Sequence, residues 1–140
     1  MDQDQKEISA ETYEYIKMNE KAISIQEIWQ KKPCDIFYFK NYNSAISIMS
    51  VDKVKILGVD EDLIMHWWTC IWLPRVDNLQ DIVQKEDETA LALHNRFHSF
   101  VRGFGRIAFC KGSMEQLWLG FVMKDLEDTI WDGDEWVPCV

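Results

Sequence analysis

The stretch Ser113–Trp131, SMEQLWLGFVMKDLEDTIW, decides the fold. Ser113 can accept a hydrogen bond from a free backbone N–H, and Gln116 can reach back to the N–H of Ser113, the capping-box spacing that opens a helix. Met114, Leu117, Trp118, Phe121, Val122, Leu126 and Ile130 then recur at helical spacing and form one wide apolar stripe. Leu119 and Met123 widen it further, so the spacing predicts a helix buried on two sides or lending its extra width to a partner groove. Gly133 is the expected terminator, since glycine adopts the left-handed conformation that ends helices. Burying one large side chain contributes roughly 1.5–3 kcal/mol, so this stripe can supply much of a core.

Working outward, 140 residues with 47% hydrophobic content and seven Trp make a single globular domain over 1–140 and argue against disorder. The opening MDQDQKEIS has neither the apolar core of a signal peptide nor the arginines of a transit peptide. No apolar run approaches the roughly 20 residues of a membrane span. A cytoplasmic protein without membrane contact is expected, and Cys34, Cys70, Cys110 and Cys139, irregularly spaced, are expected to be reduced and mostly buried.

The net charge of −9 sits at the ends. Residues 1–20 carry six acids and two lysines, and residues 115–140 carry seven acids and one lysine, whereas the stretch between them sums to +1. Acidic ends disfavour phosphate contact there.

Toward the amino end, Tyr15, Met18, Ala22, Ile25 and Trp29 follow in steps of three and four, predicting a helix within 10–31 that Ser9 can cap and Pro33 cannot continue. Residues 35–74 are rich in β-branched and aromatic residues, broken at 41–44, 52–53 and 60–62. Lys53–Ile56 alternates polar and apolar, as a half-buried strand does. Residues 64–73 are apolar on both alternating faces, so that strand is central or its outer face is an interface. Three or four strands in an antiparallel meander are expected. Asp77 with Gln80 then repeats the capping-box spacing ahead of a short helix. A further helix presents Ala90, Leu93, Phe97, Phe100, Val101 and Phe104 on one face, with Gly103 and Gly105 expected to end it and 106–110 to add a strand. The tail WDGDEWVPCV suits a tight turn. The whole reads as an α+β fold: an antiparallel sheet of three to four strands packed against C-terminal helices, with an N-terminal helix.

Several constellations carry possible chemistry. His94 and His98, four apart on a helix, share one face as some zinc ligands do, and Cys110 could add a third. No H-E-x-x-H pattern accompanies them, and no cofactor is expected. Window 89–114 holds Arg96, Arg102, Arg106, Lys111 and the two histidines with no acid, a basic patch suited to a nucleotide, a nucleic acid or another anion, or to neutralising the acidic ends. Asp60-Glu61-Asp62 and Asp132-Gly133-Asp134-Glu135 are carboxylate clusters without the twelve-residue calcium-loop pattern. Phosphate loops, serine elbows and Cys–His signatures are absent, so the chain is not expected to be an enzyme.

Two resemblances add to this. Arg102–Phe109, RGFGRIAF, resembles the first ribonucleoprotein motif of RNA-recognition domains, which stacks bases on strand-borne aromatics. Arg106 stands where that family has a stacking aromatic, and the preceding segment reads as helix instead of strand. Ile71–Arg75 with Leu79-Gln80, and Ser113–Leu119 through Trp131–Val137, together resemble small acidic proteins encoded by bacteriophages and prophages. That resemblance spans roughly the second half of the chain. It implies an accessory role inside an infected bacterium: an anti-CRISPR-like inhibitor or other counter-defence protein, acting stoichiometrically in the host cytoplasm. The expected contacts with a host or defence protein are Trp67 and Trp72 on the sheet and Asp132, Asp134 and Glu135 at the acidic end, since Trp is favoured at interface hot spots.

Overall fold

The computed structural model describes residues 9–30, 32, 34–39, 48–50, 70–108 and 113–139, with side chains outside 39, 48, 49 and 105–108. Its contacts divide into two compact units, Met1–Pro74 and Arg75–Val140. The fold class is α+β, with an N-terminal helix, small antiparallel sheets and C-terminal helices.

In the first unit the Ser9 hydroxyl accepts the Thr12 N–H at 3.1 Å and starts α1, Ala10–Lys21. The expected stripe is buried in full: Tyr15, Met18, Ala22, Ile25 and Trp29. The helix itself is not continuous. Ala22 leaves helical geometry (φ −87°, ψ 69°), and α2, Ile23–Ile28, follows. Two local causes coincide there. Buried Asn19 turns its amide back to donate to the Tyr15 carbonyl, a bond that competes with the helix ladder. The Ile23-Ser24-Ile25 triplet then brings β-branched residues with low helix preference.

Strands β1 (Ile36–Phe39), β2 (Ile48–Ser50) and β3 (Cys70–Trp72) pair antiparallel in the order β2-β1-β3. A meander would place the second strand in the middle; here β1 is central, with Phe37 opposite both Met49 and Trp72. All three residues of β3 are buried, as the apolar faces of 64–73 predict. The strand expected at 53–56 and residues 64–69 lie outside the described residues. Within this unit β3 packs on α1, and the Tyr15 hydroxyl donates to the Pro74 carbonyl. Trp29 and Trp72 lie parallel, planes 3° apart and centroids 6.0 Å apart. Buried Asp35 accepts the Trp29 indole N–H and the Lys32 N–H, both at 2.9 Å. The Gln26 amide donates to the Trp72 carbonyl and accepts the Trp72 N–H, so one side chain occupies the backbone groups that β3 leaves open.

The second unit begins with α3, Val76–Val83. Asn78 accepts the Arg75 N–H at 2.9 Å, so the helix starts two residues before the expected Asp77 cap. Asp77 instead lies in the first turn, where a carboxylate suits the helix dipole, and pairs with Arg75 at 3.1 Å. α4 runs from Ala90 to Ala108, straight through both glycines, so neither the helix end at Gly103 nor the strand at 106–108 forms. Leu93, Phe97 and Phe100 are buried along it. A helical glycine costs about 1 kcal/mol against alanine, less than burying one such side chain returns. The ribonucleoprotein reading of 102–109 falls with this, because it needs a strand.

The deciding stretch forms α5, Met114–Glu127, with the Ser113 hydroxyl accepting the Gln116 N–H. Trp118, Leu119, Val122 and Met123 are all buried, so the helix is covered on more than one side, by α3 and α4 and by β4 (Thr129–Trp131). Its end differs from expectation. Asp128, not Gly133, takes the left-handed conformation (φ 55°, ψ 43°), a place aspartate tolerates, and Ile130 passes into β4. Gly133 (φ 109°) serves the turn to β5, Trp136–Pro138, where Trp131 faces Trp136. Among the described residues no helix is long and apolar enough to cross a membrane. Cys70 is buried, Cys139 half-buried and Cys34 exposed.

Candidate functional site

Arg96 ties together several parts of the second unit. Its Nε and Nη2 donate to the Glu88 carboxylate at 2.6 and 2.7 Å, Nη2 also to the Val83 carbonyl at 3.0 Å, and Nη1 to Asp125 at 2.9 Å. Its guanidinium carbon lies 5.3 Å from the Phe121 ring centre. One cation thus joins the end of α3, the loop before α4 and α5. The hydrogen bonds from Arg96 hold Glu88 at about 2, far below the usual carboxylate value, and the Glu88 carboxylate in turn raises Arg96.

Beyond this clamp, α4 and α5 enclose a groove of about 360 Å³ lined by Phe100, Phe104, Phe121, Lys124, Asp125 and Asp128. The floor is aromatic: Phe100 stacks with Phe104 at 5.6 Å between centroids and meets Phe121 at 5.6 Å. The rim is charged. The Lys124 ammonium lies 5.5 Å from the Phe104 ring centre and donates to the Asp128 carboxylate, a bond that raises its pKa. Helical spacing placed Phe100, Phe104 and Phe121 on apolar faces but did not bring them together. Lys124 and Asp128, four apart, were legible as a pair.

The expected site residues scatter. Arg96 is engaged as described. Arg102 is exposed on α4, and Arg106 lies in its last turns, where only the backbone is described. Lys111 and Trp67 lie outside the described residues, as do Asp60-Glu61-Asp62 and Cys110. Trp72 is only 5% exposed and stacks on Trp29, so it serves the core instead of presenting a surface. Asp132, Asp134 and Glu135 are exposed on the β4–β5 turn. The Asp132 carboxylate accepts the N–H groups of Asp134 and Glu135, both at 2.8 Å, which ties it to turn formation. His94 and His98 are both exposed; His94 Nδ1 lies 2.8 Å from the Ala90 carbonyl and the ring meets Trp118 edge-on. Among the described residues no three His, Cys, Asp or Glu side chains gather as a metal site would require.

No protein-family model, curated protein or solved structure matches this chain. Geometry and charge therefore carry the functional argument. The carboxyl end of α5 brings together an aromatic floor and exposed acids, and the acidic turn follows after the three residues of β4. The last helical carbonyls add negative potential at the same place. Such a surface suits a positively charged protein segment better than it suits a phosphate.

Proposed function

We propose that this chain is a recognition protein and not an enzyme: a phage accessory or counter-defence protein that binds a host or defence protein stoichiometrically in the host cytoplasm. The phage setting is supported by the resemblance of residues 71–75, 79–80 and 113–137 described above. The observations that carry the binding mode are the aromatic-floored groove at the carboxyl end of α5 and the exposed Asp134 and Glu135 of the turn after β4. Two further facts support recognition over catalysis. The shifted groups Glu88 and Lys124 are each locked in their charged forms by an internal partner, not poised to exchange protons near neutrality. The most promising anion ligand, Arg96, is already taken by two carboxylates and a carbonyl.

The test is capture with the tagged full chain, followed by calorimetry with the purified captured protein. A stoichiometry near one is expected. The double variant Asp134→Lys, Glu135→Lys should bind at least about tenfold more weakly, because like charges then face a basic partner. Equal affinity of wild type and variant would remove the acidic-end reading.

A further inference from the structure

We infer that the α4–α5 groove is an arginine-accepting subsite, and that Lys124 occupies it as an internal stand-in which a basic side chain of the partner displaces. This rests on the recognition reading above and specifies which chemistry the surface takes.

The groove already holds a cation. The Lys124 ammonium stands over Phe104 and is anchored by Asp128. Aromatic faces are electron-rich and attract cations within about 6 Å. Without Lys124, the lining would keep two carboxylates: Asp125, still paired with Arg96, and Asp128, which would lose its lysine. Residues 115–140 contain seven acids, and Lys124 is their only base. The carbonyl end of α5 acts in the same direction.

Lys124 is suited to leave. Its side chain is 28% exposed, and a flexible four-carbon stem lets an ammonium swing into water while the stem stays packed. A guanidinium is suited to replace it. It is planar, stacks on aromatic rings and bonds carboxylates in a fork, and it gives up hydration more readily than an ammonium. Asp128 is 68% exposed on the rim and would be freed by the exchange.

The experiment uses the full chain labelled at its phenylalanines and titrated with N-acetyl-arginine amide, followed by NMR. Shifts are expected at Phe104, Phe100 and Phe121. Lys124→Met and Lys124→Gln each remove the competing ammonium and should tighten binding roughly three- to thirtyfold, the range that cation–π contacts span. Phe104→Leu should weaken it, and circular dichroism checks that each variant is folded. No tightening in either lysine variant overturns the inference. So does equal binding of N-acetyl-phenylalanine amide, which would mark an ordinary apolar groove. The two proposals fail separately. If the lysine variants tighten binding but reversal of Asp134 and Glu135 leaves partner affinity unchanged, the subsite stands and the acidic-end reading falls. The opposite pattern removes the subsite and keeps that reading.

Discussion

Gly103→Ala should stabilise the protein, although the sequence places that glycine where a helix ends. Position 103 lies inside α4, is exposed, and lacks the positive φ that would require glycine. A Cβ built there meets nothing within 4 Å. The substitution therefore adds no clash and removes no contact. What changes is the freedom of the unfolded chain and the helix preference of the residue, together about 0.5–1 kcal/mol in favour of alanine. For a protein of this size that gain corresponds to an upward shift of about 2–5 °C. Gly133→Ala is the matched control. It is also exposed and also meets nothing within 4 Å, but its φ is 109°. Forcing alanine into that region costs about 1–3 kcal/mol. The same methyl group at two open positions thus acts with opposite sign, and lost packing explains neither. Urea melts followed by tryptophan fluorescence measure both, since Trp118 and Trp131 are buried in the same unit. A Gly103→Ala protein less stable than wild type would refute a continuous α4. It would mean that the chain leaves the helix at Gly103, and would reopen the strand reading of 106–110.

Three further outcomes follow from named bonds. Gln26→Leu leaves the Trp72 N–H and carbonyl without their side-chain partner, costing about 1–3 kcal/mol and opening a strand edge; a lower urea midpoint and more aggregation on light scattering are expected. Asp35→Ala strands the buried Trp29 indole N–H and the Lys32 N–H, at a similar cost of about 1–3 kcal/mol, whereas Asp35→Asn keeps an acceptor and should lose less in the same melt. Glu88 has a folded pKa of about 2 against an ordinary 4.5, so its contribution is complete above 4.5 and lost as pH falls toward 2, where the unfolded chain binds the proton first. Acid unfolding of Glu88→Gln should show a shallower pH dependence across that window, and a slope identical to wild type would discount the clamp.

The parts of the fold that were legible are those fixed within a few residues. Ser9 and Ser113 cap their helices because a hydroxyl three residues from a free N–H needs no tertiary help. The stripe from Tyr15 to Trp29 is buried as its spacing requires, even across the break at Ala22. What failed was the weight given to local signals against burial. Gly103 and Gly105 look like terminators, but Phe97 and Phe100 hold α4 to its partner helix, and each buried ring outweighs one glycine. Asp128 shows the reverse. Gly133 had the better intrinsic preference for the left-handed region, yet the hairpin needed its glycine in the turn, so the helix ended on the nearest residue that tolerates that geometry. Strand order was beyond reach because pairing β1 with β3 depends on contacts more than thirty residues apart.

The site was less legible for a related reason. The window 89–114 reads as basic only while its partners are ignored. Glu88 lies one residue outside it, Asp125 belongs to the acidic end, and the Val83 carbonyl has no sequence signature at all. The same arginine that suggested an anion site ties the acidic end to α4 through Asp125. With Asp125 neutralised by Arg96 and Asp128 by Lys124, the two bases nearest the groove are committed, but not equally. Arg96 is bonded on all three nitrogens and holds three segments together, so releasing it would disturb the fold. Lys124 pairs with Asp128, a largely exposed carboxylate, and sits over a ring. Arg96 near Phe121 and Lys124 over Phe104 thus differ: exchanging Lys124 leaves in place the bonds from Arg96 that join α3, α4 and α5.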